Sequence, residues 1–237
     1  MKKELLLILI ILIGGLTVNA QFYIMPKAGT SISHMNLSTD VSGGGTEKAI
    51  AGFTGGAALE IKSGNVFSFQ PELLYVSKGY STSSNMFGFS YTYTQKVSYL
   101  EMPLLAKFSY TKEKFRVFGL IGPSLAYGLG GQYKYTGDYT ESGTIYFKDT
   151  PANYNALTNH NAYYNSKETN QFDLGLQVGG GIGYEVGPGI VTLDARYGTG
   201  FINLYNKAYQ PTTPNFNNTS TYRVLAITLG YAIKIAN

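Results

Sequence analysis

Charged side chains in this 237-residue chain fall on alternate positions of otherwise apolar stretches. Lys27, Glu60, Lys62, Glu72, Lys78, Glu101, Lys107, Arg116, Asp173, Glu185, Asp194 and Arg196 share one face of their segments, and aliphatic residues hold the other. Acids and bases are mixed in this set. Brought into one confined space they are expected to pair, because an unpaired buried charge is costly. The sequence therefore predicts a charge network of Lys27, Glu60, Glu72, Glu101, Lys107, Arg116, Asp173, Asp194 and Arg196 around a common interior. Two roles are open to it. One is a structural plug of ion pairs, with Gly179, Gly181 and Gly183 leaving room for longer neighbours; the other is a gated polar path. The plug is the favoured expectation.

Catalytic chemistry finds little support. There are two histidines, His34 and His160, and no cysteine. Ser33, His34 and Asp40 are close in sequence and are the residue types of a hydrolytic triad, but such a combination arises readily by chance. The glycine clusters join no strand to a helix, so none is a phosphate-binding loop. Metal ligands at useful spacing are absent. The expectation is a protein without catalytic residues, metal or cofactor. A formal net charge of +4 is only mildly basic and implies no nucleic-acid partner.

The elements that must hold these residues read as strands. Val97 to Leu129 sets the pattern: Leu100, Met102, Leu104, Ala106 and Phe108 alternate with Glu101, Pro103, Leu105, Lys107 and Ser109. After the turn at Thr111 to Lys114 the alternation restarts at Phe115. Similar segments run over Phe22–Asn36, from Ala51, from Val66, from Gln171, over Val191–Gly198 and up to Ile235. That predicts eight strands. Their connections alternate in length, short at Ser63, Thr111 and Gly187, long near Val41, Ser84, Thr150 and Pro211. Ser81–Thr92 reads as a loop rich in serine, tyrosine and phenylalanine and about 131–170 as a long one.

Short turns gathered at one end and long loops at the other are the arrangement of an outer-membrane barrel. Lipid tolerates no unpaired strand edge, so the sheet must close. A soluble barrel of lipocalin type would bury its apolar face instead, leaving the charges outside. The fold class expected is all-β, an eight-stranded antiparallel up-and-down transmembrane barrel. Residues 1–20 read as a secretory signal peptide with a small-residue cleavage site at Val18-Asn19-Ala20, and residues 21–237 as the barrel domain. The abundance of glycine (29) and tyrosine (21) suits such β-structure. The loop tyrosines are open to two readings, a surface for protein or glycan or an aromatic rim at the lipid headgroups.

Tyr99-Leu100-Glu101-Met102-Pro103-Leu104-Leu105-Ala106-Lys107 resembles the YLEIPLLLK strand of PorT-like outer-membrane β-barrel proteins of Bacteroidota. Gly119-Leu120-Ile121-Gly122-Pro123 and Lys27-Ala28-Gly29 resemble other strands of that family. The resemblance covers essentially all of 21–237 and implies a small barrel like OmpA or OmpX. One branch of the family assists type IX secretion. The carboxyl end departs from the usual pattern, since barrels commonly finish on an aromatic residue and this chain ends Ile235-Ala236-Asn237. The expected function is a non-enzymatic structural or interaction role through extracellular loops, including that of a secretion-system accessory. A narrow channel for small solutes is the first alternative and a lipid-modifying enzyme the second. Expected partners are outer-membrane lipid or lipopolysaccharide and a protein held by the loops.

Overall fold

The computed structural model describes residues 21–37, 45–86, 89–152, 154–155, 159–164, 169–205 and 219–236. The proposed signal peptide, Asp40 and most of the 204–218 loop lie outside the described residues. Among the described residues eleven strands are formed: β1 (Gln21–Leu37), β2 (Thr46–Lys48), β3 (Ile50–Ser63), β4 (Phe67–Met86), β5 (Phe89–Lys112), β6 (Phe115–Thr136), β7 (Thr140–Tyr146), β8 (Ala162–Tyr163), β9 (Phe172–Val186), β10 (Gly189–Gly200) and β11 (Ser220–Ala236). Eight of them build the wall, in the order β1-β3-β4-β5-β6-β9-β10-β11. All wall pairings are antiparallel, and β11 returns to β1 from Phe22↔Ala236 to Leu37↔Ser220. The sheet is therefore closed, which removes the edges that hydrocarbon could not satisfy.

Alternation sorts the side chains as the sequence predicts. Leu100 and Phe108 on β5, Ile121 on β6 and Leu229 on β11 are exposed on the outer surface, while Glu101, Lys107 and Arg116 are buried inside. Aromatic residues belt the outside twice. The upper row holds Tyr75 on β4, Tyr127 on β6 and Phe172 on β9, with Leu100 of β5 in register between the first two. The lower row includes Phe67 opposite Phe108 and Phe115 opposite Tyr184. The rows are eight residues apart on β5 (Leu100 to Phe108) and twelve apart on β6 (Tyr127 to Phe115); at ~3.3 Å per residue and a tilt of ~40° that is about 20–30 Å along the membrane normal. The distance matches a hydrocarbon core. No helix among the described residues is long and apolar enough to cross a membrane; the crossing is made by strands.

Turns at the lower end are tight. Gly187, at φ +60°, starts the two-residue turn between β9 and β10, where Val186 pairs with Gly189. The β5–β6 turn puts the non-glycine Glu113 at φ +54°, a conformation that disfavours a side chain.

The upper end differs from the sequence expectation. The described part of the segment 81–92 is strand and not loop: β4 continues to Met86 and β5 begins at Phe89. Its strands carry polar residues on both faces because they stand above the lipid, so no apolar alternation marks them. Hydroxyls pair across them instead, Ser81 with Thr94 at 2.9 Å and Ser83 with Thr92 at 3.0 Å. The expected 131–170 loop is also partly strand. β6 runs on to Thr136, and β7 folds back on it from Gly131↔Ile145 to Thr136↔Thr140. The short β8 pairs parallel with β7. A polar sheet of β4, β5, β6 and β7 thus rises above the belt.

Candidate functional site: the lumen and its mouth

The lower tier of the lumen centres on Glu60 of β3. Lys107 Nζ donates to Glu60 Oε2 at 2.8 Å and Arg116 Nη1 to Glu60 Oε1 at 3.1 Å. Ser68 Oγ adds a third donor at 3.0 Å. The Lys107 ammonium also lies 4.3 Å from the centre of the Phe118 ring. The middle tier is a four-residue cycle. Lys27 Nζ meets Asp194 Oδ2 at 2.9 Å and Glu72 Oε1 at 3.4 Å, while Arg196 holds Asp194 through Nε at 2.6 Å and Glu72 through Nη1 at 2.8 Å. Thr228 Oγ1 donates to Asp194 Oδ2. Gln70 joins the tiers, accepting from Lys107 at 3.0 Å and donating to Glu72 at 2.5 Å.

Glycines on β9 make this crowding possible. A Cβ on Gly179 would stand 2.7 Å from Arg196 Cγ, and one on Gly181 would stand 2.6 Å from Phe118 Cζ. An eight-stranded barrel is only just wide enough for its own side chains, so the large residues occupy what the glycines leave.

Higher up, Lys78 pairs with Glu101 at 2.8 Å, and Gln177 donates to the other Glu101 oxygen at 2.7 Å. Asp173 accepts from the Ile202 amide at 3.2 Å. These residues and Arg196 border a cavity of about 40 Å³. Arg196 Nη2 and Thr54 Oγ1 are buried without a hydrogen-bond partner among the described residues, and both residues line the cavity. About 10–15 Å³ holds one water-sized sphere, so the cavity has room for a few waters.

The mouth is closed by tyrosines. Tyr80, Tyr99, Tyr222, Met35, Val97 and Ile145 form a buried cluster, against which Tyr93, Tyr133, Tyr164 and Tyr205 pack. Gln95 lies at its centre and is fully buried. Its Oε1 accepts from Tyr164 at 2.6 Å and Tyr93 at 3.2 Å, and its Nε2 donates to Tyr222 at 3.5 Å. Tyr133 donates to Glu141 at 2.7 Å and also meets the His160 carbonyl. Above the belt, burial pushes the Tyr80, Tyr93 and Tyr164 hydroxyls well above the usual tyrosine range, reinforced by neighbouring tyrosines. Tyr133 is raised by burial and then by its bond to Glu141.

Lys27, Glu60, Glu72, Glu101, Lys107, Arg116, Asp173, Asp194 and Arg196 are all placed inside. Two further residues assigned to the inner face are not buried there. Glu185 is exposed at the lower rim and Lys62 is only part-buried, because inward parity buries nothing where the strand reaches the barrel's end. The triad of Ser33, His34 and Asp40 is not assembled. Ser33 and His34 are successive strand residues and point to opposite faces, and Asp40 is outside the described residues. The Ser33 hydroxyl is already committed: it accepts from Gly79 N at 2.7 Å and donates to Gly79 O at 3.1 Å. Ser31 likewise donates to Ser77 O at 2.7 Å. β3 pairs with β4 only up to Thr54↔Val76, so these hydroxyls satisfy β4 backbone groups beyond that point. Sequence reasoning missed this brace, Gln70, Gln95 and the inward tyrosines. Their parity with Lys27 and Val97 was the available signal. Among the described residues no group of three acidic, histidine or cysteine side chains could hold a metal.

A closed eight-stranded wall, apolar outside, ionic within and belted by aromatic rows, defines an outer-membrane β-barrel. The family model for the outer membrane protein beta-barrel domain matches residues 15–206, and the chain belongs to that family. Its place is the outer membrane. Similar solved structures include OprG from Pseudomonas aeruginosa, at 11% identity over 92% of this chain and 97% of that one with a TM-score of 0.48. Neisserial surface protein A matches at 14% identity over 90% and 97%, TM-score 0.41. Ail, the attachment invasion locus protein of Yersinia pestis, matches at 10% identity over 91% and 100%, TM-score 0.39. No curated protein matches the sequence.

Proposed function

We propose that this protein is a non-conducting, non-enzymatic barrel that anchors an extracellular β-platform for a protein partner. The observation that carries this reading is the sealed lumen. Ion pairs span it in two tiers, tyrosines cap it, and the cavity bordered by Lys78, Glu101, Asp173 and Arg196 between them measures about 40 Å³. In this role the interior charges are structural. They hold the wall in one shape so that β4 to β7 stand rigidly above the lipid. The opposite orientations of Ser33 and His34 weigh against lipid hydrolysis.

Planar-bilayer recording of the purified full-length barrel tests the sealed state. Only baseline current is expected, and discrete, reproducible openings would establish the narrow channel instead. Crosslinking in native outer membranes from cysteines placed at 131 to 136 should capture one partner protein; uniform labelling of bystanders counts against the platform role.

The resemblance of Tyr99–Lys107, Gly119–Pro123 and Lys27–Gly29 to PorT-like strands supports a narrower assignment, an accessory of type IX secretion. A deletion strain should then lose export of type IX cargo, and normal export would remove this role.

A further inference from the structure

We infer that the outer face of β5, β6 and β7 carries a binding site for a phosphorylated glycolipid of the outer leaflet. The inference rests on the barrel's place in the outer membrane and is independent of whether the lumen conducts. It begins at the point where β6 changes partners. β6 pairs with β9 up to Tyr127↔Phe172 and with β7 only from Gly131↔Ile145. Between these lie Gly128, Leu129 and Gly130, with Gly130 at φ +133° and a register shift at Ser98/Tyr99 on the facing strand. Glycines 130 and 131 present no side chains, so the wall is recessed here.

Two grooves meet at this recess. The lower one is bordered by Tyr75, Leu129 and Tyr146, exposed by 41%, 53% and 37%. Tyr75 is fixed against β5 by its 2.5 Å bond with Ser98. Hydrocarbon chains at the top of the bilayer would lie against these side chains. The upper groove is bordered by Thr94, Gln132, Ser142 and Thr144 together with Lys96 and Lys134. Lys96 borders both grooves. It stands four residues above Leu100 of the aromatic row, which is about 10 Å along the membrane normal. That is just above the headgroup layer, within reach of a lysine stem directed toward the membrane.

The lining chemistry selects the occupant. Hydroxyls and amides suit a sugar, two ammonium groups suit phosphate, and neither groove is lined by a carboxylate. Among the described residues neither Lys96 nor Lys134 takes part in an ion pair, and both are exposed. In the lumen, by contrast, the cations are paired closely, as Lys78 is with Glu101. Apolar below, hydroxylic and cationic above, and placed at the lipid boundary, the double groove matches a lipid A-type molecule: an acylated, phosphorylated sugar.

The test uses the folded full-length barrel in detergent and native mass spectrometry with diphosphoryl lipid A. Wild type is expected to retain the lipid, with the Lys96→Ala/Lys134→Ala double variant binding about tenfold more weakly. Lys112→Ala, at the opposite end, serves as the control and is expected to bind as wild type. Dephosphorylated lipid A should bind wild type as weakly as the intact lipid binds the double variant. Equal binding by wild type and double variant overturns the site. Equal retention of dephosphorylated lipid overturns the role of phosphate. Displacement by inorganic phosphate at matching concentration would reduce it to an anion site and overturn the glycolipid.

Discussion

Arg196 on β10 reaches across the full width of the barrel to Glu72 on β4, meeting it at 2.8 Å. Three strands lie between the two in either direction around the wall, so they face each other directly. The same guanidinium holds Asp194 on its own strand, and Lys27 holds both acids. Such a strut ties opposite walls together in a way that adjacent-strand hydrogen bonds do not.

Removing one partner of that strut leaves charge buried and unmatched. Glu72→Ala is expected to lower stability by about 3–5 kcal/mol, read from urea titrations of the barrel in lipid vesicles. The double variant Glu72→Ala/Arg196→Ala keeps Lys27 paired with Asp194 and should cost less than the two single changes combined. Strictly additive costs would show that the bridge carries no coupling.

Ser33 and His34 separate a structural hydroxyl from an idle imidazole. Ser33→Ala leaves the Gly79 amide and carbonyl without their side-chain partner, a loss of about 1–3 kcal/mol. His34→Ala should stay within about 0.5 kcal/mol. Lipid A from cells carrying either variant should be unaltered; a changed lipid A in His34→Ala would revive the enzyme reading.

Packing at Gly181 admits no side chain. A Cβ there would meet Phe118 at 2.6 Å and Asp194 at 2.8 Å. Gly181→Val is expected to cost about 1–3 kcal/mol through overpacking, with Phe118→Leu partly restoring it. Unchanged stability of the single variant would mean that the interior is looser than drawn.

The tyrosine cap sets an alkaline limit. Tyr80, Tyr93, Tyr133 and Tyr164 have raised pKa values in the fold, whereas unfolded tyrosine titrates near ~10. Below about pH 10 both states hold these protons and stability is unaffected. Above it the unfolded chain releases them first, so stability falls with rising pH. Tyrosinate absorbance of the folded protein should therefore rise later than that of the urea-unfolded chain. Coincident titration curves would contradict the buried cap.

The proline and glycine placements show how local signals compare with global ones. Gly187-Pro188 marks its turn in any context, because φ +60° suits glycine and the proline ends the strand. The segment 81–92 carries no comparable signal. Its serines, threonines and tyrosines are polar on both faces, and only pairing with a neighbour distinguishes such a strand from a loop.

Within the apolar stretches the sequence by itself determined the side of the wall on which residues stand. A strand's side-chain period is two whatever its surroundings, so Leu100 and Glu101 must face opposite ways, and lipid assigns the apolar row to the outside. Tertiary structure alone decided which charges meet. Lys27 and Asp194 are 167 residues apart, and their contact follows from the register of eight strands and the tilt of the closed sheet. The same closure brings Gln95 beneath Tyr164 and turns tyrosines that read as loop surface into a lid, because only a finished barrel has an interior for them to fill.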